Sequence, residues 1–125
     1  MPKILVVDDD PAFAGALART LRSHGFDVAT AIGACRGARA ALRERPDALV
    51  VDADMPRFTG LELHDVMRFA PRLRKVPVFF LTDRDNATQR DVALRQGARA
   101  FLRKLDQIPE LMDTLRETLV VHAVS

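Results

Sequence analysis

Five short apolar runs recur along the chain, separated by longer stretches in which apolar residues return every three or four positions. The runs are "KILVV" (3–7), "DVATA" (27–31), "ALVV" (48–51), "PVFFL" (77–81) and "RAFLR" (99–103). Several are apolar at consecutive positions, as expected of strands covered on both faces. The intervening stretches, roughly 10–14 residues each, have the usual length of globular helices. The first predicted helix carries Phe13, Leu17 and Leu21 on one stripe and ends near Gly25. The second spans about 34–44, the third about 61–69 and the fourth about 87–96, stopped by Pro46, Pro71 and Gly97. The fifth has Pro109 in its first turn and Leu111, Leu115 and Leu119 on one stripe.

Five such βα units imply an α/β fold: a five-stranded parallel sheet, doubly wound, with helices on both faces. The common strand order for five strands is 2-1-3-4-5 with right-handed crossovers. A ligand crevice is then expected at the carboxyl ends of the strands, at the switch point between strands 1 and 3. At 125 residues the chain has the size of one domain with a real core. Residues 1–125 are read as a single domain, with no repeat, linker or output domain visible.

Composition narrows the classes. No apolar run approaches the ~18 residues of a membrane span, and "MPKILVVDDD" lacks the apolar length of a secretory signal. One cysteine, Cys35, excludes an internal disulfide, fits a reducing cytoplasm, and is expected to be a small packing residue. Nineteen bases against 17 acids give a net charge of +2, too balanced to argue for nucleic acid. Only three of those bases are Lys.

The acids are unevenly placed. Asp8, Asp9 and Asp10 follow strand 1, Asp52 and Asp54 follow strand 3, Asp83 and Asp85 follow strand 4, and Asp106 follows strand 5. Asp10, Asp85 and Asp106 can cap or precede the helices that begin there. Asp8, Asp9 and Asp52 sit at strand ends beside the switch point, where three carboxylates repel unless a cation neutralises them. A hard, oxygen-preferring ion such as Mg²⁺ (or Mn²⁺) suits that donor set. On the opposite rim, Arg22, Arg43, Arg45, Arg72, Arg74 and Lys75 fall at helix C-termini or before strands, where they complement helix dipoles.

"ILVVDDDP", "VVDADMPRFTGLEL", "PVFFLTDRDN" and "GARAFLRK", in this order and spacing, resemble the receiver domain of two-component response regulators, chemotaxis regulators included. The resemblance spans essentially the whole chain. It implies that Asp52 is the phosphoaccepting aspartate and that Asp8 and Asp9 hold Mg²⁺, Asp9 more directly, with the backbone carbonyl of Asp54 as a further ligand. It further implies that Thr82 and Lys104 serve the phosphoryl group and that Phe101 is the aromatic that swings between outer and inner positions. A carboxylate can attack phosphorus, and phosphoryl transfer needs chiefly positioning and cationic stabilisation. A lysine at position 104, in a chain that otherwise prefers Arg, fits the need for a compact point charge.

The expected function is a cytoplasmic signalling switch, regulatory and not an enzyme in its own right, phosphorylated on Asp52 by a histidine kinase or a histidine phosphotransfer protein in a phosphorelay. Its readout face is helix 4, strand 5 and helix 5, acting on a downstream protein or on its own output domain. No direct nucleic-acid or membrane contact is expected of this domain, and homodimerisation is left open. The alternative is a receiver-fold interaction module with impaired phosphorylation. "DAD" also resembles the nucleophile motif of haloacid-dehalogenase-type phosphatases, but there it follows the first strand. His24, His64 and His122 are scattered and, with one Cys, offer no zinc spacing.

Three departures from the family pattern bear on access to Asp52. Leu105 follows Lys104 where the family usually has a cis proline; a trans bond is expected here, since a non-proline cis bond costs ~2.5–4 kcal/mol. Asp83 follows Thr82 where a small residue is usual, adding bulk and charge at the mouth of the site. Asp54 and Arg84 flank the site, and their side chains are expected to pair across it.

Overall fold

The computed structural model describes residues 1–84 and 86–124, with side chains up to Leu119. Asp85 and the side chain of His122, both singled out above, lie outside the described residues. Five strands, β1 (Lys3–Asp8), β2 (Asp27–Ile32), β3 (Ala48–Asp52), β4 (Val78–Thr82) and β5 (Ala100–Arg103), alternate with five helices, α1 (Pro11–Ser23), α2 (Ala34–Glu44), α3 (Gly60–Arg68), α4 (Ala87–Arg95) and α5 (Ile108–Val124). All neighbouring strands are parallel, and the order is β2-β1-β3-β4-β5, as the alternation of elements predicts.

Strand alternation splits the core into two layers. Ile4, Val6, Val50, Phe79 and Leu81 face α1 and α5, packing on Leu17, Leu21, Leu111 and Leu115. Leu5, Val7, Leu49, Val51 and Phe80 face the other way, onto Ala40 and Ala41 of α2, Leu63 and Met67 of α3, and Ala93 of α4. Both faces of β3 and β4 are therefore covered, and every residue of these two strands is buried. Alanines on α2 and α4 let those helices lie close to the sheet.

Local signals fix the helix starts. Asp10 caps α1, its Oδ1 accepting the N–H groups of Ala12 (3.0 Å) and Phe13 (3.4 Å). Thr59 and Glu62 form a reciprocal capping box on α3, with both bonds at 3.1 Å. Asn86 caps α4 through Gln89 N–H at 3.0 Å. Asp106 precedes α5, but its carboxylate takes the Arg103 guanidinium at 2.8 Å. Cys35, expected to pack inside, is exposed near the start of α2; the stripe that faces the sheet is Ala34, Gly37, Ala40 and Ala41 instead. Among the described residues no helix is long and apolar enough to cross a membrane.

Candidate functional site

The strand ladders converge on one rim. β1, β3 and β4 end at Asp8, Asp52 and Thr82, and the loops that follow keep pairing with the strand ends. Gly33 N–H donates to the Asp8 carbonyl (2.9 Å), Ala53 N–H to Leu81 (2.8 Å) and Lys104 N–H to Thr82 (2.9 Å). Asp8 and Asp52 keep the alternation of Val6 and Val50, so both carboxylates emerge toward the α1 and α5 side. They are almost fully buried, at 2% and 4% exposure, whereas Asp9 is exposed.

Each buried carboxylate has one oxygen tied to backbone and one turned to a cation. Asp8 Oδ1 accepts Asp10 N–H at 2.9 Å, and Asp52 Oδ1 accepts Asp54 N–H at 3.0 Å. Lys104 Nζ lies 2.8 Å from Asp8 Oδ2 and 3.6 Å from Asp52 Oδ2. The ammonium also sits 4.4 Å from the ring centroid of Phe13, and Asp83 Oδ2 approaches it at 4.0 Å from the exposed side. Phe13, legible in the sequence only as a helix-stripe residue, is thus part of the site. It roofs Lys104 with a π face that suits a cation.

Burial and like charge decide the protonation. Burial pushes the Asp52 carboxyl up to about 7, and the Asp8 charge adds to the rise; the Asp54 N–H and Lys104 oppose it. Asp8 is also raised by burial, against the pull of Lys104 and the Asp10 N–H. Burial works against the Lys104 ammonium, but its hydrogen bond to Asp8 and the Asp52, Asp8 and Asp83 charges outweigh that, so its pKa is raised. The site holds more acid than its one lysine can balance.

The donor chemistry fits a hard divalent cation. One carboxylate oxygen each from Asp8, Asp9 and Asp52 lie within 4.8 Å of one another, an all-oxygen set that could hold such an ion.

Thr82 stands at the end of β4, 1% exposed, with its hydroxyl engaged. Oγ1 accepts Arg84 N–H at 3.1 Å and lies 2.6 Å from Asp54 Oδ2 and 2.8 Å from the Arg84 carbonyl. A hydroxyl has one proton, and the charged Asp54 oxygen is the stronger acceptor. This corrects the expected Asp54–Arg84 ion pair. The two side chains make no ion pair; Arg84 contributes only its backbone, and the Asp54 carboxylate is taken by Thr82. An exposed pair worth ~0.2–1 kcal/mol does not compete with a short bond to a hydroxyl fixed in the sheet.

Phe101 is buried at 7% exposure, its ring turned in against Phe80 with centroids 6.1 Å apart. Peptide bonds are trans throughout the described residues, as expected at Lys104–Leu105, and Leu105 is 94% exposed. Two features escaped the sequence. Gly60, at the start of α3, lies so close to the β3 end that an added Cβ would overlap the Asp52 carbonyl oxygen. Arg57, in the same loop, has φ 66°, a left-handed conformation that favours glycine. The "G" of "RFTG" is legible as a helix start but not as a close approach, because that depends on where β3 ends in space.

Comparison with known proteins agrees with this geometry. The family model described as "Response regulator receiver domain" matches residues 4–116. The chain is 36% identical over 118 residues to the transcriptional regulatory protein PrrA of Mycobacterium tuberculosis, covering 94% of this chain and 50% of that protein. It is 37% identical over 117 residues to the response regulator MprA of Mycobacterium leprae, covering 94% and 50%. The chain therefore spans about half the length of these relatives. Among solved structures it resembles the chemotaxis response regulator CheY4 of Vibrio cholerae (TM-score 0.84, 27% identity, 94% of this chain and 98% of that one). It also resembles the BeF3-activated N-terminal receiver domain of Klebsiella pneumoniae RstA (TM-score 0.85, 28% identity, 94% and 97%). The match over nearly the whole length, with acids, threonine and lysine brought to one rim, makes this chain a member of the response regulator receiver domain family.

Proposed function

We propose that this chain is one receiver unit that works as a phosphoaccepting switch, with Asp52 as the acceptor. The observation that carries the reading is the position of Asp52: a buried carboxylate at the end of β3, flanked by Lys104 on one oxygen and grouped with Asp8 and Asp9. Asp8, Asp9 and Asp52, with the Asp54 carbonyl, would hold Mg²⁺ (or Mn²⁺). Bound there, the ion supplies charge neutralisation for the acids and for the oxygens of the transferring phosphoryl group.

The donor is a phosphohistidine on a histidine kinase or phosphotransfer protein. The deprotonated Asp52 Oδ2 forms the new P–O bond as the phosphorus–imidazole nitrogen bond breaks, its electron pair returning to that nitrogen. Lys104 stabilises one phosphoryl oxygen by moving its ammonium from the Asp8–Asp52 bridge. Thr82 turns its hydroxyl from Asp54 Oδ2 to another. The phosphoryl group brings a charge of about −1.5 to −2, which draws β4 and the loop after it inward and biases two surface conformations. The readout face is α4, β5 and α5, presented in the cytoplasm to a downstream protein or an output domain, with no nucleic-acid or membrane contact of its own. The role is regulatory; slow loss of the phosphoryl group to water resets the switch.

A second reading, an interaction module with impaired phosphorylation, is favoured by one observation: Thr82 and Lys104 both have their polar groups already engaged, by Asp54 and by Asp8. The two readings separate on a single experiment. With Mg²⁺ and a small acyl phosphate, the switch gains one phosphoryl group by intact mass and Asp52→Asn gains none. An interaction module gains none in either form.

A further inference from the structure

Three carboxylates compete for the Lys104 ammonium: Asp8 Oδ2 at 2.8 Å, Asp52 Oδ2 at 3.6 Å and Asp83 Oδ2 at 4.0 Å. Asp8 and Asp52 are buried within the site, whereas Asp83 stands mostly exposed outside it. An ammonium is a point charge on a flexible stem, and it follows whichever acid is free. In the switch proposed above, the inner pair changes most. A divalent ion takes oxygens of Asp8 and Asp52, and Asp52 then receives the phosphoryl group. With the ion bound and the phosphoryl group not yet transferred, charge alone would draw Lys104 outward to Asp83.

The contact with Phe13 does not change with any of these charges. The ring centroid lies 4.4 Å from Lys104 Nζ. The Lys104 side chain is only 9% exposed, so little water competes with the ring face for the ammonium. The ring is also fixed in place. Phe13 is the third residue of α1, and its N–H joins that of Ala12 on Asp10 Oδ1. Asp10 N–H in turn donates to Asp8 Oδ1 at 2.9 Å. Asp10 therefore ties together the Asp8 carboxylate and the Phe13 ring, the two groups of this segment that touch Lys104. Half-buried, Phe13 packs on the core layer beneath α1 and α5. Packing alone would explain an apolar residue on the α1 stripe; it would not explain a cation held against the ring.

We propose that Phe13 is a positioning residue for phosphoryl transfer: its π face keeps the Lys104 ammonium beside Asp52 and away from Asp83 while metal and phosphoryl group redistribute the charges around it. Lys104 then shifts from Asp8 to a phosphoryl oxygen without leaving the ring. This role rests on the reading of Asp52 as the phosphoacceptor. It depends on the electrons of the ring rather than on its bulk, because a cation is drawn to the ring quadrupole.

The test replaces Phe13 alone, in the whole chain, by phenylalanines carrying one, two and three ring fluorines. Fluorine drains the π face with little change of shape, so packing is kept, which thermal unfolding verifies. Phosphorylation by acetyl phosphate at saturating Mg²⁺ is followed by intact mass. The limiting rate should fall stepwise, by about three- to tenfold over the series, the range set by losing a partly desolvated cation–π contact. The half-saturating acetyl phosphate concentration should stay unchanged, and Phe13→Tyr should keep the wild-type rate. A second readout needs no phosphoryl group: NOEs between the Lys104 ε-methylene and the Phe13 ring should persist in the wild type when Mg²⁺ is added, and weaken in the trifluoro form. A flat rate across the series in an active protein, or loss of the wild-type NOEs on adding Mg²⁺, would overturn the proposal and leave the acceptor reading standing. A wild type that gains no phosphoryl group would overturn the acceptor reading and, with it, the role of Phe13 in transfer.

Discussion

Asp52 is a carboxylate held against its own preference. Its pKa is raised to about 7 from an ordinary value near 3.8, so between those values the folded protein holds a proton that the unfolded chain has released. Stability therefore falls as pH rises through that window when no divalent ion is bound. Asp52→Asn removes the ionising group and keeps the hydrogen-bond acceptor. In EDTA it should flatten the slope and raise stability at pH 7 by about 1–3 kcal/mol; urea unfolding at pH 5 and pH 7 measures both, and equal slopes in variant and wild type would contradict the assignment. Asp83 stands at the mouth of the site: mostly exposed, it reaches Lys104 at 4.0 Å, and in the proposed switch it would compete for the ammonium that a phosphoryl oxygen needs. Asp83→Ala should raise the phosphorylation rate and the hydrolysis rate several-fold, and unchanged rates would show that Asp83 is a bystander. These residue identities were legible in the sequence. The bond between Thr82 and Asp54 was not, because the choice between Thr82 and Arg84 as partner of Asp54 is set by the reach of the two loops.

At the level of elements, strand ends hide in polar residues. Asp8, Asp52 and Thr82 look like the start of loops, yet each belongs to its strand, since the backbone ladder does not depend on side-chain polarity. β4 and β5 begin one residue later than the apolar pattern suggests; Pro77 has no N–H to give, though its carbonyl still accepts Leu49 N–H at 2.9 Å. Helix limits followed caps and stops to within two residues, the largest gap being at α1, which ends at Ser23 rather than near Gly25. The least legible contact is that between α3 and β3. Gly60 lets the first turn of α3 lie on the Asp52 carbonyl, so that helix and Asp52 are positioned together. Gly60→Ala would force the two apart. An overpacking cost of about 1–3 kcal/mol is expected, together with slower phosphorylation than stability loss explains. Thermal unfolding and rate together check this, and a fully stable, fully active variant would remove the contact from the account.

Over the whole molecule, alternation on five strands builds two apolar layers and leaves both ends of the sheet polar: an acidic end around Asp8, Asp9 and Asp52, and a basic end around Arg74, Lys75 and Arg99. The sheet order and the acidic rim follow directly from the pattern of runs and from where the aspartates fall. The basic end was legible only in part: Arg74 and Lys75 fall just before β4 in the sequence, whereas Arg99 belongs to the turn before β5 and carries no shared motif with them. The acidic cluster of Asp8, Asp9 and Asp52 could hold a divalent ion, and in the proposed reading its binding would add to stability. Saturating Mg²⁺ at a hundredfold over its Kd should add about 2.7 kcal/mol, seen as a rise of several degrees in Tm at pH 7. Asp9→Ala should lose most of that rise while its metal-free Tm stays close to wild type, because Asp9 is exposed. An equal rise in the variant would place the ion elsewhere.

The account stands on the identity of the acceptor. After phosphorylation by a small acyl phosphate with Mg²⁺, borohydride reduces an aspartyl phosphate to homoserine, and peptide mapping by mass spectrometry reports the residue converted. Conversion at position 52 alone is the predicted result. Conversion at Asp8, Asp9, Asp54 or Asp83, or none in a protein that is folded and binds Mg²⁺, would contradict it.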